Sequence, residues 1–414
     1  MQYKEFYVSK ALLFITALVF ITTGVLIILR FNPFSKIPLL HTGELFNRDR
    51  IEKVYVDTYP DATLNQLWDA YKREYVQKDG RTMDRAQNFL TTSEGQSYTL
   101  LRSVWLDDKE TFDATLLWTN HNLKKRGDNL FAWKWGELSP GNWGVLESEG
   151  GLNSASDADQ DIALALIFAY HRWNQPHYLE QARRIINDIW EQEVIIIQDK
   201  PYMTAGNWAK LEAEPIINPS YLSPAAYSIF SKVDPIHDWM AVKDTSYEIL
   251  EKSTVVLPPD WIKINPATLE VIPHSFSDEE PAFSHDALRV FWRVGLDWEW
   301  HQERRAKEYF TKVSFLKAEW DEYGAIRSAY TLDGKPLVSD ESLSMYGAVL
   351  PYFLVISPEI AGQIYNDKLA EQFNPDSEDF HGDIGYYSSN WAWFGMAMYQ
   401  DRLLNLFSSE GVRR

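Results

Sequence analysis

Three acidic residues in this chain of 414 residues each stand at the start of a predicted apolar helix. They are Glu94, Asp157 and Asp286, and each has a serine within the two positions before it. Serine and aspartate are favoured helix caps, and the helix dipole favours negative charge at this end, so each acid alone could be only a capping residue. Capping does not require three such helix ends to meet. Acids at the same end of three inner helices would converge on one opening.

The chemistry that suits converging carboxyl groups is acid–base hydrolysis of a glycosidic bond. It needs one carboxylic acid to protonate the leaving oxygen and one carboxylate to activate water or attack the sugar. The acid must hold its proton near neutral pH, which requires burial or a neighbouring negative charge. The helix dipole acts against this, so we expect Glu94 to need desolvation by neighbours such as Tyr98.

Other chemistries fit the sequence poorly. The segment that begins at Asp157 resembles a calcium loop, but Ile162 stands where glycine is needed and Phe168 where glutamate is needed. The chain has no cysteine, and it contains neither a His-Glu-x-x-His motif nor a phosphate-binding glycine loop. A net charge of −19 would repel nucleic acids. We therefore predict no metal, no cofactor and no nucleic-acid partner.

The helices that must position these acids are of two alternating kinds. The segments 94–106 and 157–173 are apolar nearly all round, as is 286–298. The segment after each carries its apolar residues on a single stripe, as at 303–315. A helix that is apolar all round must be buried, and one with a single stripe must lie outside it. The alternation predicts an all-α toroid of inner and outer helices. A helical solenoid is the alternative, which the lack of a fixed-period repeat disfavours.

Two loop segments are rich in strand-forming residues. These are 193–206 and 325–339, the second of which contains the dipeptide Asp333-Gly334, a typical hairpin turn. We expect both to form short β elements at the rim of the toroid.

The N-terminal segment contains an apolar run at 11–29, long enough to cross a bilayer as a helix. A cleaved signal peptide is the alternative, but such peptides have shorter apolar regions and end in a small-x-small site that is absent here. We predict a membrane anchor at 1–30, a tether at 31–60 and one catalytic domain at 61–414.

Two motifs resemble the signatures of glycoside hydrolase family 8. They are "ASDADQDIALALIFAYHRW" at 155–173 and "TTSEGQSYTLL" at 91–101. Weaker blocks resemble, in the same order, the endoglucanase branch that accompanies bacterial cellulose synthases: "FAWKWGE", "NPSYLSP", "SHDALRVFWRVG" and "YYSSNWAWFG". The resemblance implies an (α/α)6 barrel and an inverting mechanism, with acid and base carboxyls about 6.5–9.5 Å apart.

The resemblance also implies a role for individual residues. Glu94 matches the general acid, Asp286 the general base, and Asp157 the residue that holds the sugar and positions the water. Arg289 matches an arginine that supports the base and the sugar. Four aromatic residues match groove positions: Trp133, Trp135, Tyr221 and Tyr387. For Trp135 simple packing is an equal alternative.

One position departs from the family pattern. The residue before the base is usually tyrosine, and this chain has His285 there. An imidazole can still hydrogen-bond a sugar or a water, but imidazoles change charge near neutral pH. The departure leaves the pH profile and the substrate open.

Together these features predict an anchored, inverting endo-β-1,4-glucanase that binds a β-1,4-glucan. The anchor predicts a single-pass protein of the bacterial cytoplasmic membrane with its catalytic domain outside. There it would trim a nascent exopolysaccharide beside a polysaccharide synthase complex. A chitosanase, xylanase or licheninase of the same family is the first alternative. A catalytically silent glycan-binding subunit of a polysaccharide secretion system is the second.

Overall fold

The computed structural model describes residues 62–408, which are mostly helical. The helices are α1 Ala62–Tyr75, α2 Ser93–Trp105, α3 Lys109–Asn122, α4 Ser156–Trp173, α5 Pro176–Glu193, α6 Asn207–Lys210, α7 Pro224–Val233, α8 Trp239–Ser253, α9 Arg289–His301, α10 Arg304–Lys312, α11 Phe315–Tyr323, α12 Leu343–Ile356, α13 Pro358–Gln363 and α14 Gly385–Tyr399. The strands are β1 Thr91–Thr92, β2 Lys134–Ser139, β3 Asn142–Val145, β4 Val194–Ile197, β5 Lys200–Met203, β6 Ile216–Ile217, β7 Trp261–Ile264, β8 Val271–His274, β9 Ala282–Phe283, β10 Tyr330–Thr331, β11 Phe373–Asn374 and β12 Asp379–Phe380.

The largely buried helices are α2, α4, α7, α9, α12 and α14, and an outer helix packs against each of them. The first and last inner helices, α2 and α14, are in contact. Arg102 of α2 donates a hydrogen bond to Asn390 of α14 at 3.1 Å. The outer partner of α14 is α1, where Trp393 donates to the carbonyl oxygen of Leu64 at 3.0 Å. The ring therefore closes on itself. This arrangement is consistent with an (α/α)6 barrel and differs from an open solenoid.

The inner helices meet in an aromatic core with little room for side chains between some backbones. Trp391 packs edge-on against Tyr98 of α2 and Trp292 of α9, with ring centroids 5.5 and 5.4 Å away. Between α12 and α14 the backbones touch, since a Cβ added at Gly347 would overlap the carbonyl oxygen of Trp391. Only glycine permits this approach.

The two predicted β segments differ from each other in pairing. The segment 193–206 forms an antiparallel hairpin of β4 and β5, as predicted. The segment 325–339 turns at Gly334, with φ of +90°, but its strand β10 pairs with the distant strand β9. Since β9 ends directly before Ser284, this pairing anchors the loop that carries Asp286.

Two predicted helix boundaries were wrong. The helix predicted at 286–298 begins only at Arg289, because the side chain of Asp260 accepts the backbone N–H groups of Ser284 and Ala287 and holds the preceding turn. The helix predicted at 303–315 ends already at Lys312, and a separate helix, α11, begins at Phe315. No helix within 62–408 has the length and apolar character needed to cross a bilayer. The predicted anchor at 1–30 and tether at 31–60 lie outside the described residues.

Candidate active site

Glu94 and Asp157 lie in the first turns of α2 and α4, and neither serves as the N-cap of its helix. Thr92 caps α2 by accepting a hydrogen bond from the N–H of Gly95 at 3.0 Å. The N-cap position of α4 is Ala155, which has no capping side chain. Asp157 accepts a hydrogen bond from the N–H of Ala158 at 2.9 Å, and its other oxygen is left for a different partner.

That partner is Arg289, the first residue of α9. Its Nη1 donates to Glu94 Oε2 at 2.8 Å and to Asp157 Oδ2 at 3.1 Å, and its Nη2 contacts Asp286 Oδ1. The structure thus brings the three predicted carboxyl groups together around one guanidinium. Glu94 and Asp157 come from the first turns of the adjacent helices α2 and α4, and Asp286 comes from the turn before α9, so the acids converge as the sequence predicted.

The three carboxyl groups differ in their access to solvent. The side chains of Glu94 and Asp286 are 22% and 29% exposed, whereas that of Asp157 is 3% exposed. Each accessible carboxyl has one further donor: the Tyr386 hydroxyl donates to Glu94 Oε1 at 2.7 Å, and the Trp261 indole donates to Asp286 Oδ2 at 3.0 Å. Glu94 and Asp286 can therefore meet a substrate while their orientation is fixed from behind.

Burial dominates the electrostatics of the cluster. It raises the pKa of Asp157 to about 7; Arg289 acts to lower that pKa, and the negative charge of Glu94 to raise it. Burial alone would lower the pKa of Arg289, but the neighbouring tyrosines and carboxylates, Asp286 and Glu94 among them, raise it. The guanidinium therefore remains charged, and Asp157 exchanges its proton close to neutral pH.

The loop that carries Asp286 is held from both sides. Asp260 accepts three hydrogen bonds: from the N–H of Ser284 at 3.0 Å, from the Ser284 hydroxyl at 2.5 Å and from the N–H of Ala287 at 2.7 Å. On the other side the Tyr387 hydroxyl donates to the carbonyl oxygen of His285. Burial raises the pKa of Asp260, with a further contribution from the charge of Asp286. The position of Asp286 thus depends on hydrogen bonds to the backbone around it.

The aromatic residues predicted for the groove occupy different environments. Tyr221 lies beside the cluster, with its ring centroid 5.2 Å from the Arg289 guanidinium. Trp133 is half-buried, and its carbonyl oxygen accepts the N–H of Ser93 at 3.0 Å, next to Glu94. His285 is exposed, and its ring packs edge-on against Tyr387 with centroids 6.1 Å apart.

Trp135 lies in the hydrophobic core. Its ring stacks on Trp143 with centroids 5.4 Å apart, and the Arg81 guanidinium lies 4.3 Å from its centroid. Only 9% of the residue is exposed. These contacts favour a packing role for Trp135, the alternative that the sequence had left open, because little of the residue is accessible to solvent.

Sequence reasoning did not single out Tyr386, Asp260 or Trp261. Tyr386 stands beside the predicted Tyr387, but only the fold shows that it reaches Glu94. Asp260 and Trp261 precede the loop of Asp286 by more than twenty positions, and the strands β7, β8 and β9 occupy parts of that interval. No spacing rule would connect them to the base.

The ring of inner helices and the carboxyl groups around Arg289 define a glycoside hydrolase. The family model described as glycosyl hydrolases family 8 matches residues 56–400, and the chain belongs to this family.

Relatives and solved structures agree with this assignment. Endoglucanase C of Ruminiclostridium cellulolyticum is 29% identical over 66% of this chain and 58% of its own length. The chain thus spans less than two thirds of that curated relative. An endo-1,4-D-glucanase structure from Vibrio fischeri ES114 superposes with a TM-score of 0.70 at 25% identity, over 81% of this chain and 94% of the other. A β-1,3-1,4-glucanase from Paenibacillus sp. X4 gives a TM-score of 0.70 at 21% identity, over 82% and 91%, and shares the fold.

Proposed function

We propose that this protein is an inverting endo-β-1,4-glucanase, with Glu94 as general acid and Asp286 as general base. The observation that carries the proposal is the ion-paired cluster in which Arg289 contacts Glu94, Asp157 and Asp286. Two accessible carboxyl groups on either side of one buried guanidinium suit an acid and a base that act on opposite sides of a sugar ring. The similarity to the endo-1,4-D-glucanase of Vibrio fischeri supports the 1,4 linkage.

In this mechanism the two accessible carboxyls act together in a single displacement, one as acid and the other as base. Glu94 transfers its proton to the glycosidic oxygen as the bond to the anomeric carbon breaks. Asp286 accepts a proton from the water whose oxygen attacks that carbon from the other face. Asp286 then releases its new proton to solvent, and Glu94 takes up a proton from solvent. Arg289 remains charged throughout and limits the repulsion among the carboxylates.

Asp157 is proposed to hold the sugar at the cleavage point and to help orient the attacking water. Its side chain is almost fully buried, so it would contact the sugar through one oxygen and would not act as a solvent-exposed base. With a pKa of about 7, it can donate to a sugar hydroxyl when protonated and accept from one when ionised.

The first test is the release of reducing ends from carboxymethyl cellulose and barley glucan by the purified full chain. Glu94→Gln should lower the rate by roughly 10²- to 10⁴-fold, the usual contribution of a general acid. The matched control is Glu110→Gln, an exposed acid at the start of the outer helix α3, at the far end of the same hairpin. Nuclear magnetic resonance should show the α-anomer as the first product from the β-linked substrate. A β-anomer, or wild-type rates for Glu94→Gln, would contradict the proposal.

The alternatives within the family differ in the sugar that they accept. A panel of chitosan, xylan, mixed-linkage glucan and cellulose derivatives separates the chitosanase, xylanase and licheninase readings. The net charge of −19 leaves a cationic polymer such as chitosan admissible. Glycan affinity without hydrolysis, unchanged by Asp286→Ala, would instead indicate a silent binding subunit.

The location of the protein is a separate proposal. The apolar run at 11–29 supports an anchor in the bacterial cytoplasmic membrane with the catalytic domain outside, where it would trim a nascent polysaccharide beside a synthase complex. Membrane fractions should retain the activity after washing with high salt. Protease added to intact spheroplasts should digest the catalytic domain, whereas its protection would reverse the proposed orientation.

A further inference from the structure

A second acid–arginine pair lies one helical turn below the catalytic cluster, between the same two inner helices. Asp161 stands four positions after Asp157 on α4, and Arg293 stands four positions after Arg289 on α9. Residues four positions apart lie on the same face of a helix, one turn from each other. The helices α4 and α9 are thus joined by two successive acid–arginine pairs, of which the upper belongs to the catalytic cluster.

The lower pair has the more complete geometry. Arg293 donates from Nη1 to Asp161 Oδ1 at 2.5 Å and from Nη2 to Oδ2 at 2.9 Å, whereas Asp157 accepts one hydrogen bond from Arg289. Both side chains of the lower pair are only 2% exposed. A planar guanidinium that meets a carboxylate at two points fixes the orientation as well as the distance of its partner. The pair therefore fixes the position of α4 relative to α9.

The guanidinium of Arg293 also holds the turn that carries Tyr221. Its Nε donates to the carbonyl oxygen of Ser220 at 3.3 Å, within the short turn Pro219–Tyr221. From α4, the side-chain amide of Gln160 donates to the carbonyl oxygen of Tyr221 at 3.2 Å. The lower pair thus joins three elements that meet beside the catalytic cluster: α4, α9 and this turn.

We propose that Asp161 and Arg293 are positioning residues for the reaction. Their pair sets the position of α4 along α9, and with it the place at which Asp157 meets Arg289. Since Asp157 is proposed to hold the sugar and the attacking water, a displacement of about 1 Å would slow the chemical step more than it would weaken binding. This inference rests on the proposed glucanase activity and adds two residues that support it from below.

The test compares kcat and KM of the full chain on barley glucan between the wild type and two variants. Arg293→Met leaves Asp161 buried without its partner, so we expect a lowered Tm. The double variant Asp161→Leu with Arg293→Met removes both charges and should recover most of that Tm, because an apolar pair of similar volume can replace a buried ion pair. Its kcat should still be roughly tenfold to a hundredfold below wild type, with KM changed by less than about threefold.

A second readout is the pH profile of Asp161→Asn. Burial raises the pKa of Asp157 and Arg289 lowers it; Arg293 lowers it as well, whereas Asp161 raises it. Asp161→Asn leaves the charge of Arg293 uncompensated, so the limb of the kcat profile near pH 7 should move to lower pH. A contact that only stabilises the fold would not move this limb, and a limb at the wild-type position overturns the inference.

The matched control is Lys243→Met, which breaks the buried ion pair of Lys243 with Asp297, one turn further along α9. It should lower Tm and change kcat by less than about twofold. A double variant with wild-type kcat makes Asp161 and Arg293 structural residues only and overturns the inference, as does a raised KM at unchanged kcat; both leave the glucanase proposal standing. A wild-type protein that hydrolyses no β-glucan rejects the proposed function and this role together.

Discussion

Helix α4 carries three buried aspartates, and the fold treats the charges of two of them, Asp157 and Asp159, in opposite ways. Asp157 points to the catalytic cluster and is paired with Arg289. Asp159 lies about 200° further round the helix and faces Glu193, at the end of the outer helix α5. Within residues 62–408 neither Asp159 nor Glu193 forms an ion pair with a basic side chain. One site thus contains acids paired with a cation, whereas the cation near the other site, Arg126, is paired with Asp128 instead.

Because no cation is ion-paired with Asp159 or Glu193 within residues 62–408, this second site keeps its acids neutral. Burial raises the pKa of Glu193 to about 8, and burial together with the charge of Glu193 raises that of Asp159 well above its ordinary value. Within residues 62–408 both oxygens of Glu193 and Oδ2 of Asp159 are buried without a hydrogen-bond donor, so a proton held between the two carboxyl groups would stabilise both. The comparison shows that burial alone produces an inert acid pair. An acid that must release and regain protons in catalysis needs a compensating charge beside it.

The largest expected effect comes from removing that cation. Arg289→Met should lower kcat/KM by roughly a thousandfold and the free energy of unfolding by about 3 kcal/mol, because the carboxylates lose their shared partner. Arg289 acts to lower the pKa of Asp157, so its loss raises that pKa further. The stability deficit should therefore grow as the pH rises above about 7, where Asp157 ionises in the wild type but keeps its proton in the variant, as urea unfolding would measure.

Arg289→Lys is the matched control for this experiment. It retains the charge but replaces a planar fork by a single ammonium group, which cannot contact three carboxyls in the same geometry. We expect its stability to be restored in large part and its activity to remain low. Activity within tenfold of wild type for Arg289→Met would show that the cluster does not require the cation.

The second prediction concerns the acid pair without a cation. The pKa of Glu193 is raised from 4.5 to about 8 on folding, so the folded protein holds the extra proton. The stabilisation is fully present below pH 4.5 and is lost as the pH rises through about 8. Glu193→Gln should remove this loss and raise the free energy of unfolding near pH 9 by roughly 1–3 kcal/mol, since one pKa unit corresponds to about 1.4 kcal/mol.

Chemical unfolding at acid and alkaline pH measures the effect. The matched control is Glu191→Gln on the same helix, because the Glu191 side chain is 62% exposed. If Glu193→Gln has the same pH dependence of stability as the wild type and the control Glu191→Gln, the two carboxyl groups do not share a proton. A loss of stability for Glu193→Gln at every pH would instead show that its hydrogen bonds require a carboxyl group.

These two sites also mark what sequence can predict. Periodicity gave the inner and outer helices, and the family motifs placed Glu94 and Asp157 in their first turns, because both signals are local. The contact between Asp159 and Glu193 joins the first turn of α4 to the last turn of α5. Nothing in the spacing distinguishes Asp159 from Asp157. The helix boundary before Arg289 was missed because the side chain that determines it, Asp260, stands just before the strand β7, far from this helix in the sequence.

Asp260 shows a third solution for a buried acid, in which N–H and O–H donors replace the cation. Asp260→Asn keeps the shape but cannot accept all three hydrogen bonds from the loop of Asp286. We expect kcat to fall by roughly tenfold with KM unchanged, because the base is displaced while the groove remains. Steady-state kinetics measures this split, with Asp278→Asn as an exposed control. A proportional rise in KM, or a loss of activity that follows a lowered Tm, would make Asp260 a structural residue only.

The smallest effect is expected at His285, the position that departs from the family pattern. Its ring is exposed, and the contact that fixes the loop is made by its carbonyl oxygen with the Tyr387 hydroxyl. His285→Tyr preserves that contact, so kcat/KM should change by less than about threefold, as is usual for exposed positions. Tyr387→Phe removes the donor and should cost more, roughly fivefold, through a looser base loop. If His285→Tyr instead alters kcat/KM tenfold, the ring must touch the sugar or the attacking water, and the departure from tyrosine would then set the activity of this enzyme.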